Sequence, residues 1–201
     1  MVLEQQRYGR IKETQIDKSY INSVEYRRKF DNMTGDRKLD GKIYTESKTI
    51  LAHRSGTQYE DLTFISTLDG TSKSNTSYAE TEIRAGKDEN SVIRKVIPTN
   101  AMKELVKKSS PNTVIAIHNH PGNSLPSLSD LRSAFANRYK FGIILTHKGE
   151  VYKYTITDGF NENFADFLLG RIEKGIKSGN SEITKKYINE LSAFGVILEV
   201  L

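Results

Sequence analysis

Apolar positions along this chain shift between helical spacing and short continuous runs, and the shifts mark out its elements. In 36–53, DRKLDGKIYTESKTILAH, residues Leu39, Ile43, Ile50 and Leu51 fall near one face, and the RSG that follows supplies a stop with Gly56 as a C-cap. Upstream, SYINSVEYRRKFDNM (19–33) reads as an earlier helix, broken at Thr34-Gly35. At 62–68 the pattern becomes LTFISTL, rich in β-branched and aromatic residues, and the Asp69-Gly70 after it is a hairpin signal. SNTSYAETEIRAG (74–86) is the candidate returning strand, and KDENS is a polar connection to VIRKVIP. In AMKELVKKS (101–109), Met102, Leu105 and Val106 make a short helical stripe with Lys107 and Lys108 placed well for a last turn. TVIAIHNH (113–120) is a continuous run of the kind shown by a strand buried on both faces, and Pro121 ends it. SLSDLRSAFANRYK has Leu131, Ala134, Phe135 and Arg138 at helical spacing, while FGIILTH and EVYKYTI flank Lys148-Gly149 as two more strands.

A hairpin followed by helix, strand, helix, strand, strand predicts an α/β domain. The expected organisation is an N-terminal helical arm over 1–56, the α/β domain over 57–157 and a C-terminal helical extension over 158–201. The last part reads as two helices, with a short final strand left open. No internal repeat or low-complexity stretch interrupts this order.

Composition narrows the function classes. With 201 residues the chain can bury one substantial core, and 36% hydrophobic with 27% charged residues suits a globular protein with a solvated surface. No apolar run approaches the roughly 20 residues of a membrane-spanning helix, so no membrane association is expected. The start, MVLEQQRYGRIKETQ, lacks the basic and apolar regions of a secretory signal, and a cytoplasmic location is expected. There is no cysteine, so any metal must be held by His, Asp or Glu. A net charge of +5 permits contact with nucleic acid, but the basic residues alternate with acids in EYRRKFDNMTGDRKLDGK, as on a solvated helix surface.

Two of the four histidines stand one residue apart at the end of the apolar run. In a strand, residues i and i+2 share a face, so His118 and His120 can approach one ion while Asn119 points away. After the Pro121-Gly122 turn, Asp130 returns about one turn into the next helix and can add a carboxylate oxygen. Two imidazoles and one carboxylate leave a fourth tetrahedral position for water, whose pKa zinc lowers to about 7. A glutamate beside that water would serve as the base. Ser127-Leu-Ser-Asp130 equally fits a helix capping box, and the histidine pair alone fits a satisfied strand end.

HNHPGNSLPSLSD (118–130) resembles the JAMM (MPN+) metalloprotease motif, a His-x-His followed by Ser-x-x-Asp with a glutamate well upstream; HNHP is especially like the RadC-type members. The resemblance covers roughly 57–157. It implies a JAMM/MPN-type, cytidine-deaminase-like mixed β-sheet flanked by helices, and a zinc hydrolase acting on peptide or isopeptide bonds of a protein or peptide substrate. It implies one zinc ion held by His118, His120 and Asp130, with Ser127 donating to the oxyanion. The sequence departs from the motif in having six residues between His120 and Ser127 where the usual pattern has seven. In the family the glutamate lies on an early strand. Glu60, just before LTFISTL and on the face of Leu62 and Phe64, is the choice over Glu80, Glu82 and Glu89, which sit in a polar stretch. INSVEYRRKFDNMTGD, ILAHRSGTQYEDL and SNTS also resemble phage proteins linked to head morphogenesis, which implies a mobile-element setting and a phage structural protein as a partner.

The remaining histidines read as structural. His53 ends a helix, where positive charge is favourable, and His147 beside the Lys148-Gly149 turn reads as solvent-facing. The competing functions are a non-catalytic JAMM-like interaction module and a RadC-like DNA-associated protein.

Overall fold

A computed structural model of the chain describes residues 11–77, 81–85 and 92–201. A 3-10 turn at Lys12–Thr14 leads into two short helices, α1 (Lys18–Ile21) and α2 (Val24–Arg28), and then the long α3 (Arg37–Arg54). The single helix expected over 19–33 is thus two. Ser23 takes extended backbone to cap α2, its hydroxyl accepting from Tyr26 N–H at 3.1 Å, and that backbone ends the preceding turn.

The hairpin is β1 (Leu62–Ser66) and β2 (Ser72–Asn75), paired antiparallel. Its returning strand comes sooner than 74–86, because Gly70 adopts φ +72° and Asp69 accepts from Thr71 N–H at 2.9 Å, closing the turn quickly. Strands β3 (Thr81–Ala85) and β4 (Val92–Val96) form a separate antiparallel pair. Then follow α4 (Asn100–Lys108), β5 (Val114–His120), α5 (Leu128–Asn137), β6 (Phe141–Thr146) and β7 (Val151–Ile156), and finally α6 (Glu162–Lys177), α7 (Ser181–Ser192) and β8 (Val196–Val200). Helix α5 stops before Arg138, which takes left-handed backbone at φ 49° as its C-cap.

Among the described residues the larger sheet is mixed and six-stranded, in the order β2-β1-β5-β6-β7-β8. Only β5 and β6 run parallel, joined through α5; every other neighbour pair is antiparallel. Every residue of β5 is buried, as expected for a strand covered on both faces. Ile115 and Ile117 pack with Phe141, Ile143 and Leu145 against Ile43, Ile50 and Leu51 of α3. Val114 and Ala116 face the other way, toward Leu131 and Ala134 of α5 and the apolar stripe of α6. The result is a helix-sheet-helix sandwich, an α/β fold whose sheet is flanked on both sides. Residues read as arm and extension form its outer layers, and β8 adds an edge strand beside β7. Gly142 permits a close approach, since a Cβ there would fall on the Tyr154 ring. Among the described residues no helix is long and apolar enough to cross a membrane.

Candidate metal centre

Alternation along β5 sorts its last three residues. His118 and His120 lie on the α5 side with Ala116, and Asn119 lies on the α3 side with Ile117. The histidines stand at the carboxyl end of the one parallel pair, where open α/β sheets place their ligands. Both are buried.

The connection from β5 to α5 is short but well stitched. Asn123 sits at φ 57°, its N–H donating to His120 O at 3.0 Å, and its Oδ1 accepting from Lys148 N–H at 2.9 Å. Asparagine tolerates this left-handed backbone better than most residues. Ser127 then caps α5 in a capping box: Asp130 N–H donates to the Ser127 hydroxyl at 3.3 Å, and Ser127 N–H donates to Asp130 Oδ2 at 2.7 Å. The Ser127 hydroxyl also donates to Asp130 Oδ2 at 2.7 Å. The capping reading and the delivery of a carboxylate therefore coexist, and the six-residue loop brings Asp130 to both imidazoles.

The three donor groups converge. His118 Nε2 and His120 Nε2 are 3.0 Å apart, His118 Nε2 lies 3.3 Å from Asp130 Oδ1, and His120 Nε2 lies 3.5 Å from Asp130 Oδ2. Ligands at about 2.0–2.1 Å from a tetrahedral zinc are separated by roughly 3.3 Å. The triangle of donors has that size, and the group can hold a metal ion. His120 Nδ1 meets Ser124 O at 3.2 Å and Ser124 Oγ at 3.0 Å, and the tautomer that donates to the carbonyl leaves Nε2 as a lone-pair donor toward the triangle. His118 Nδ1 is buried and has no hydrogen-bond partner among the described residues.

Glu60, in the segment leading into β1, lines one recess with Leu62, Phe64, His118, Asp130, Tyr139 and Tyr154. Burial pushes the Glu60 carboxyl above the usual glutamate range, opposed by the nearby His120 and His118 and reinforced by Asp130. For Asp130, burial is outweighed by the charges and hydrogen bonds of the two imidazoles, which hold it well below the usual carboxylate range. Burial also works against a charged His120, but the Asp130 hydrogen bond and charge and the Glu60 charge raise it. Two carboxylates at one site are thus driven in opposite directions, Asp130 toward permanent charge and Glu60 toward proton exchange. Glu80 and Glu89 lie outside the described residues.

The sequence reading missed a polar network behind the site. His147 is buried, 3% exposed, and not solvent-facing: β6 alternation puts it on the same side as Phe141, Ile143 and Leu145, beneath the N-terminal segment. Its partners are Thr14 O and Asn119. His53 does end α3, but its Nδ1 lies 2.6 Å from Asp61 Oδ2, and the buried Asp61 also pairs with Arg54. The available signal was parity, since a polar residue on the α3 side of β5 or β6 must find partners in the core.

No family model matches the chain, and no curated protein or solved structure matches it.

Proposed function

We propose that this chain is a zinc-dependent hydrolase of peptide or isopeptide bonds, built as a JAMM (MPN+) domain. The observation that carries the reading is the triangle of His118, His120 and Asp130 donors, sized for one tetrahedral ion, with Glu60 alongside. Zinc held there would supply Lewis acidity and lower the pKa of a water to about 7. Glu60 would accept a proton from that water and return it to the leaving amine, a role suited to a carboxyl whose pKa burial has raised. Ser127 holds Asp130 by two hydrogen bonds in this structure, so its first contribution is to aim the ligand. Donation to an oxyanion would use the same hydroxyl after it turns from Asp130. The recess beside Glu60, with apolar walls from Leu62, Phe64 and Ala116, would receive part of the chain flanking the scissile bond. The resemblance adds a protein or peptide substrate, met in a phage or other mobile-element setting, to the proposal.

The test is hydrolysis of linear and lysine-linked peptide libraries by zinc-loaded protein, read by mass spectrometry. Glu60→Gln is expected to keep its zinc and to lose about 100- to 10,000-fold in rate, the usual worth of a positioned general base. Full activity in that variant removes Glu60 from the mechanism.

A further inference from the structure

We propose that Asn119, the residue between the two histidines, is the positioning residue for Glu60, and that His147 holds it in place; the inference rests on the reading of Glu60 as the base. Asn119 is fully buried. Its Oδ1 accepts from Asp61 N–H at 2.8 Å, and its Nδ2 donates to Tyr59 O at 3.0 Å. A backbone N–H can only donate and a carbonyl can only accept, so these contacts fix which end of the amide is oxygen.

Those two backbone groups belong to the two peptide planes that meet at Glu60 Cα. Because each peptide is planar, their orientations set φ and ψ of Glu60 and leave only its side-chain torsions free. One side chain on β5 therefore fixes the backbone of the carboxylate, and its neighbours on either side are the imidazoles that the carboxylate must face. Base and ligands share one rigid reference, which is what a preorganised site requires.

The second hydrogen of the Asn119 amide points at His147 Nε2, 2.9 Å away, so that nitrogen must accept. The proton of His147 then sits on Nδ1 and donates to Thr14 O at 2.6 Å. Burial, which pushes the imidazole pKa down, agrees with a neutral ring. The 3-10 turn at Lys12–Thr14 is itself tied to the end of α3, through Ile11 N–H to Gly56 O and Gly56 N–H to Thr14 O, each 3.0 Å. Every group in the chain Thr14-His147-Asn119 has its role set by the next one, so the N-terminal segment is part of the support for the active carboxylate.

The experiment uses the full chain loaded with zinc and three readouts: zinc content, kcat and KM on an internally quenched peptide cleaved by the wild type, and amide exchange of Asp61 by NMR. Asn119→Ala is expected to bind zinc stoichiometrically, exchange the Asp61 amide at least about tenfold faster, and lose roughly 100-fold in kcat with little change in KM, the scale expected for a misplaced catalytic group. His147→Gln keeps an acceptor for the amide, whereas His147→Leu does not. The glutamine variant should exceed the leucine variant at least about tenfold in kcat, and this pair decides the matter if Asn119→Ala does not fold. Wild-type kcat and exchange in Asn119→Ala, loss of zinc from a folded Asn119→Ala, or equal rates in the two His147 variants would overturn the proposal. If wild-type protein takes up no zinc or cleaves no peptide, the hydrolase reading fails, and Asp61 exchange alone then decides whether the clamp exists.

Discussion

His118 and Asn119 show how much one step along a strand decides. The first turns toward α5 and a carboxylate, the second toward α3 and two peptide groups, and neither can exchange duties without reversing the strand. His147 belongs to the same logic and carries a pH consequence. Burial holds its pKa below the ordinary 6.5, so on acidification the unfolded chain takes the proton first. The stability contributed by neutral His147 is fully present above about 6.5 and is lost as the pH falls from there through the depressed folded value. Urea denaturation of metal-free protein at neutral and mildly acid pH should show this loss, and His147→Gln should show less of it. Equal losses in both proteins would mean that His147 charges freely in the folded state. The histidine pair was legible because strand periodicity needs only the local sequence. The burial of His147 was not, because it depends on a 3-10 turn 133 residues earlier covering the strand end.

At the scale of elements, the decisive joint is the start of α5. The capping box satisfies orphan backbone groups of the helix and, with the same atoms, orients Asp130 toward the two imidazoles. Ser127→Ala should therefore cost about 1 kcal/mol of stability as a lost cap and weaken zinc affinity by roughly 10- to 100-fold as a lost partner of a ligand. Thermal unfolding without metal and zinc titration by competition measure the two effects separately; unchanged affinity would confine Ser127 to capping. The long helix α3, the buried β5 and the pair β6 and β7 were readable from periodicity, because each carries a full apolar stripe or run. The split between α1 and α2 and the early return of β2 were not. A side-chain cap at Ser23 and a positive φ at Gly70 decide them, and hydrophobic pattern does not register either.

In the whole molecule two elements build the donor triangle, the sheet supplying two imidazoles and α5 a carboxylate, and the segment between α3 and β1 sets Glu60 in the recess beside them. The mixed α/β class followed from the order of elements along the chain. The sheet order β2-β1-β5-β6-β7-β8 did not, since the pairing of β1 with β5 spans an interval that contains the separate β3-β4 hairpin. Metal content by mass spectrometry, on protein prepared without chelators or a histidine tag, tests the proposed zinc site most directly when wild type is compared with His120→Ala. About one zinc per wild-type chain is expected, as a three-ligand site of this geometry binds, and its loss in the variant. Wild-type protein that stays metal-free after zinc is added back, or a variant that retains its zinc, would contradict the proposed site.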